Sequence, residues 1–187
     1  MPVYGWIIIA VVALILIVAV WFISTSNKFV RLKLNAEEAF STMDVCMKER
    51  YDLVPNLVET VKGYMKHEKE TLTSVIDCRS KALSATTPED RAKAEGEFGQ
   101  VVSKLLALTE AYPDLKANAN FMDLQGKLTA LESKIANSRK YYNACVKEYN
   151  TLLLVFPSSI VANMKHLEKL NMFEIPEVER QNVKVSF

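Results

Sequence analysis

The sequence predicts an all-α protein: an N-terminal transmembrane helix, then an antiparallel four-helix bundle of long helices, then a short extended C-terminal tail. Three observations carry this expectation. Every residue from Trp6 to Ile23 is apolar, and no charge precedes Lys28. Downstream, apolar residues recur at alternating spacings of three and four, the mark of a helix face turned to a core. Glycine and proline are sparse, at 5 and 6 in 187 residues, and most of the prolines fall where those stripes end.

Eighteen helical residues rise about 27 Å, close to a hydrocarbon core of roughly 30 Å. Trp6 and Trp21 stand near the two ends of the run, where indole rings favour the membrane interface. A cleaved signal peptide would need a basic start, a shorter apolar stretch and a small-residue cleavage site, whereas Met1–Gly5 has no Lys or Arg and Ser24–Asn27 is a poor site. The run therefore reads as an uncleaved anchor over residues 1–26. Lys28, Arg31 and Lys33 follow it directly, and basic side chains are retained on the cytoplasmic face. The expected topology is an outside N-terminus with residues 27–187 in the cytoplasm.

Those 27–187 suit one helical domain of about 160 residues. They hold all 23 Lys+Arg and all 22 Asp+Glu, mixed along the chain, so a clustered basic face for nucleic acid is missing. Cys46, Cys78 and Cys145 are odd in number and widely spaced, which is no disulfide framework; they read as small core residues.

The first helix of the domain carries Phe29, Leu32, Ala36, Ala39, Met43 and Cys46 on one face, and only the polar Ser24–Asn27 separates it from the anchor. Asp52-Leu53-Val54-Pro55 reads as a breaker, because proline disfavours helical geometry before it and suits the first turn of a new helix. The second helix is then expected from Leu57 through Val61, Tyr64, Thr71, Val75 and Cys78 to Ala82, with Glu68 at the stripe edge reaching water or a cation. Thr87-Pro88-Glu89-Asp90 is a helix start: Thr87 caps, Pro88 takes the first position and Asp90 lies three residues after the cap. A third helix follows with Ala94, Phe98, Val101, Leu105, Leu108 and Tyr112, ending at Pro113. Phe121 to Phe156 keeps the alternation for about 36 residues, and Pro157 stops it. A short amphipathic helix from Ser159 to about Leu170 and an extended Val183, Val185, Phe187 tail complete the reading.

The catalytic templates fail one by one. His67-Glu68 begins an H-E-x-x-H zinc motif, but Thr71 occupies the second histidine position and His166 is far away. No C-x-x-C, G-x-S-x-G elbow or phosphate-cradling glycine loop exists, and no Glu stands three residues before either histidine as in di-iron bundles. The expectation is no catalytic residue, no cofactor and no metal ligand.

Several segments together are similar to the LemA family: Arg50-Tyr51-Asp52-Leu53-Val54-Pro55-Asn56-Leu57-Val58-Glu59-Thr60-Val61, then His67-Glu68, Arg79-Ser80, Tyr112–Asn118, Phe121 with Leu124-Gln125, Glu132, Arg139, Tyr142-Asn143, Tyr149-Asn150, Phe156-Pro157-Ser158 and Val183-x-Val185-x-Phe187. Cys78 and Met172 depart from the pattern, which there favours alanine and phenylalanine. The resemblance implies a bacterial single-pass membrane protein with a cytoplasmic helical domain and no assigned activity. It points to membrane organisation or partner binding, a membrane protease being one such partner.

The residues singled out for interaction or for bundle register are Arg50, Asp52, Pro55, Asn56, Glu68, Glu132, Arg139, Asn143 and Asn150. Asp52, Pro55 and Asn56 are expected to build the turn between the first two helices. Glu132 and Arg139 lie two helical turns apart with Asn143 and Asn150 continuing that side, so they form either a polar strip for a partner helix or bonds to neighbouring helices that set the register. Three functions stay open: a self-associating membrane scaffold, a regulator of a membrane protease, and a sensor of a small ligand. The anchor lacks a small-xxx-small glycine pair, so self-association is expected through weak lateral contacts of the full-length chain.

Overall fold

A computed structural model describes residues 3–65 and 67–174, and every regular element among them is helical. The order is α1 (Val3–Lys62), α2 (Lys69–Ser84), α3 (Pro88–Thr109), the single turn α4 (Pro113–Lys116), α5 (Ala119–Leu154) and the short α6 (Ser158–Met164). The expected extended tail at Val183–Phe187 lies outside the described residues.

The anchor and the first expected domain helix are one element. α1 runs for 60 residues without a break, and Ser24–Asn27 forms ordinary helix within it. Nor does Pro55 end it, which corrects the expected turn at residues 52–55: Asp52, Pro55 and Asn56 are interior residues of α1, and the turn comes at Gly63–Tyr64 instead. The reason is energetic. An interior proline costs about 3 kcal/mol. Around it Met47, Tyr51, Val54, Leu57, Val58 and Val61 are all buried, each worth about 1.5–3 kcal/mol against exposure. The continuous apolar face outweighs the break. The carbonyl that Pro55 cannot bond, that of Tyr51, is also not left bare: Arg79 Nε on α2 donates to it at 2.6 Å.

The remaining boundaries follow local chemistry. Thr87 caps α3 with its hydroxyl accepting from Asp90 N–H at 3.1 Å, and Pro88 occupies the first turn, as the sequence predicts. α3 stops at Thr109, four residues before Pro113, which opens α4 instead of closing α3. α5 has 36 residues; its first turn is capped by Asn118 Oδ1, accepting from Phe121 N–H at 3.0 Å. α6 is shorter than expected and ends at Met164, with an irregular segment over 167–174.

The described residues fall into two compact units. The first takes the chain up to Ala39 together with Asn143–Leu170. Its core is Phe29, Leu32, Tyr149, Leu153, Val161 and Ala162, with Trp21, Phe22, Leu152, Leu167 and Leu170 packed against it. The Phe29 and Tyr149 rings meet edge to face at 6.0 Å. The second unit takes Phe40–Tyr142 and the described residues from Asn171 on. Its buried residues include Met43, Met47, Tyr51, Val54, Val75, Phe98, Leu105, Phe121, Leu128, Leu131 and Ile135. Cys46, Cys78 and Cys145 are free thiols and half-buried, less enclosed than core residues.

Candidate functional site

The second unit buries a charged node. Arg50 on α1 is 3% exposed, and one of its guanidinium nitrogens donates to Glu95 on α3, which is 8% exposed. The other terminal nitrogen donates to Glu132 on α5 at 2.6 Å. Tyr51, the next residue on α1, donates its hydroxyl to the second oxygen of Glu95. The Phe98 ring lies one turn beyond Glu95 on α3, with its centroid 4.9 Å from the Arg50 guanidinium carbon, and it meets the Tyr51 ring edge-on at 5.4 Å. Arg50 Nε is the one buried side-chain polar atom without a hydrogen-bond partner among the described residues.

Arg50, Glu95 and Glu132 border a cavity of about 120 Å³. Gly96, Gly99 and Ala136 keep its walls low, Arg139 lines it, and Phe173 lies along its edge. That space is enough for several water molecules. The segment bearing Phe173 is held in place by Tyr142, whose hydroxyl donates to the Asn171 carbonyl at 2.8 Å, and by Asn171, whose amide donates to Glu89.

Burial pushes the Glu95 carboxyl above its usual range; the Arg50 and Arg139 charges oppose that, and the Glu132 charge adds to it. The guanidinium of Arg50 stands between the two carboxylates, each of which accepts from one of its terminal nitrogens. Among the described residues no group of three His, Cys, Asp or Glu side chains could hold a metal ion. What the node does hold is helix register: one guanidinium engages two other helices with charge-assisted bonds that a shift of either would break.

The other residues singled out from the sequence are dispersed. Asp52 is exposed and pairs with Arg79 at 3.6 Å, beside the Tyr51 carbonyl that Arg79 satisfies. Asn56 is exposed, and its carbonyl accepts from Thr60 at 2.8 Å. Glu68 sits at the N-cap position of α2 and accepts from the Tyr112 hydroxyl at 2.9 Å, a partner different from the water or cation expected. Arg139 is brought to the node, whereas Asn143 and Asn150 belong to the first unit. Asn150 grips the Leu170 backbone there, donating to its carbonyl at 2.8 Å and accepting from its N–H at 2.9 Å. Lys28 and Arg31 are exposed, and Trp21 is half-buried.

Glu95, Tyr51 and Phe98 as members of the node, and Arg79 as a clamp, escape sequence reasoning about the site. The one local signal is in α3, where Gly96 and Gly99 stand inside a helix, an unfavourable place for glycine unless something approaches closely.

α1 carries an apolar stretch with mean hydropathy 3.2 over 18 residues, none of it buried in the protein, so it is long and apolar enough to cross a membrane. In class this is an all-helical protein with one N-terminal helix long and apolar enough to cross a membrane. The chain belongs to the LemA family, whose model matches residues 39–187. It is similar to Protein LemA of Metamycoplasma hominis, 24% identical over 169 residues that cover 88% of this chain and 76% of that protein. It is also similar to magnetosome protein MamQ 2 of Paramagnetospirillum magneticum, 22% identical with 92% and 73% covered, and to magnetosome protein MamQ of Magnetospirillum gryphiswaldense, 22% identical with 79% and 64% covered.

Proposed function

We propose that the protein is a non-enzymatic, membrane-anchored scaffold at the cytoplasmic face of a bacterial membrane, and that it associates with copies of itself. The observation that carries this reading is the continuity of α1: one helix joins a fully exposed apolar stretch to a helical unit locked by Arg50. We further infer that the end of α1, α2, α3 and α5 form an antiparallel four-helix bundle. The short connections at 63–68, 85–87 and 110–118 support it, as do Arg50 and Arg79, which between them tie α1 to the three other helices. Lys28, Arg31 and Lys33 after the apolar stretch support an outside N-terminus. Relatives named as magnetosome proteins support a role at an organised cellular structure.

Capture of the full-length chain from mild detergent, followed by mass photometry and mass spectrometry, tests the proposal. Homo-oligomers of defined mass support it. A monomer in several detergents and in lipid discs overturns self-association. A stoichiometric protease in the captured material would replace the scaffold by a protease regulator.

A further inference from the structure

The first unit carries a second apolar surface beside the anchor. At the corner where α5 ends and α6 begins, Phe156 is 82% exposed, Leu154 66% and Met164 65%. Val155 and Ile160 add to the same exposed apolar set. On α6, Ile160 and Met164 are four residues apart and share one face, while Ser158, Val161 and Ala162 turn inward. The inward face packs on the cluster that includes Phe29 and Leu32 of α1, with Trp21 and Phe22 against it. Lys165, just past α6, donates to the hydroxyl of Ser26 on α1. Contacts at 21–32 place α6 at the C-terminal end of the apolar stretch, which closes at Ile23.

We propose that the α5–α6 corner is a second membrane contact: Leu154, Val155, Phe156, Ile160 and Met164 enter the interfacial layer of the same leaflet that α1 leaves. The reading rests on α1 spanning the bilayer. Three observations select lipid as the occupant. The inward face of α6 packs on the cluster against which Trp21 and Phe22, from the end of the apolar stretch of α1, also lie, so the patch sits on the same unit as that end. Its level along α1 is set by the Ser26–Lys165 bond, three residues from the last apolar residue of the stretch. Lys28 and Lys169 are exposed on the same unit, where their ammonium groups can reach headgroup phosphates while their stems stay on apolar surface. Apolar side chains with flanking lysines are the make-up of segments that lie in the interface plane. The corner then holds the first unit against the leaflet at a second point besides α1.

The test is spin-label accessibility in the full chain, with its three cysteines replaced by serine, reconstituted in phosphatidylethanolamine–phosphatidylglycerol vesicles. Single labels go at Phe156→Cys, Ile160→Cys, Val12→Cys and Leu83→Cys. The expected result is a deep label at 12, labels at 156 and 160 favouring oxygen over a water-soluble nickel complex at a depth of about 5–10 Å, and a water-exposed label at 83. A deep label at 12 with 156 and 160 as open to nickel as 83 overturns the corner contact and leaves the anchor standing. Labels at 156 and 160 shielded from both reagents also overturn it, in favour of a protein partner or a second copy. A water-exposed label at 12 refutes the anchor and the corner contact with it.

Discussion

Replacing Arg50 by methionine should destabilise the protein by far more than a surface change. Methionine fills most of the side chain's length but leaves Glu95 with the Tyr51 hydroxyl and only the weaker Arg139 charge, in a place 8% exposed. Removing one partner of a buried ion pair costs about 3–5 kcal/mol. Loss of the guanidinium from the Phe98 ring, 4.9 Å away, falls inside that range rather than on top of it. For a chain of this size 1 kcal/mol moves the melting temperature by about 2–4 °C, so Arg50→Met should lower it by roughly 6–20 °C. Thermal unfolding of the full chain in detergent, followed by near-ultraviolet circular dichroism, reads this. The loss should shrink at acid pH, where Glu95 takes up a proton. A triple variant, Arg50→Met with Tyr51→Phe and Glu95→Met, should recover most of the loss, because an apolar replacement of a buried ion network is often neutral or better; Glu132, 44% exposed, then turns to water. A single variant that melts within about 3 °C of the parent would refute the reasoning. So would a triple variant no more stable than the single one.

Two further outcomes follow from named contacts. Arg79→Met leaves the Tyr51 carbonyl without a donor and should cost about 1–3 kcal/mol; adding Pro55→Ala restores a backbone N–H and should recover much of it, so a denaturation cycle with additive effects would contradict the clamp. Glu95 has its carboxyl raised in the folded state by burial, so the fold binds that proton more tightly than the unfolded chain does. Its contribution is full below the unfolded value of 4.5 and is lost as pH rises through the folded one. The parent should therefore gain stability relative to Glu95→Gln as pH falls from neutral toward 4.5, and a difference that is flat or of opposite sign would contradict the burial.

Much of the helical layout was legible because it rests on repeating patterns. The stripe through Phe121, Leu128, Leu131, Ile135 and Tyr142 follows from spacing alone, and the structure buries all five. The start of α3 was legible because Thr87, Pro88 and Asp90 act within four residues of one another. Pro55 misled because its local preference is outweighed by burial of the continuous apolar face of α1, and the carbonyl it leaves is satisfied by a distant residue, Arg79, which no local window contains. The node was half legible for the same reason. Arg50 and Glu132 stand in segments shared with the family, whereas Glu95 reads as one more charge on α3 until the fold brings it to within bonding distance of Arg50. Glu68 also accepts from Tyr112, which arrives from 44 residues away and which no local pattern names.

The central claim is that α1 fixes the protein in a membrane. Alkaline carbonate extraction of membranes from cells making the full chain, alongside a Val12→Lys, Ile15→Lys variant, tests it most directly. Each lysine at mid-span costs about 2.5–3.5 kcal/mol of insertion free energy. The expected result is the parent chain in the pellet and the double variant released to the supernatant. A parent chain washed free by carbonate, or a double variant held as firmly as the parent, would contradict it.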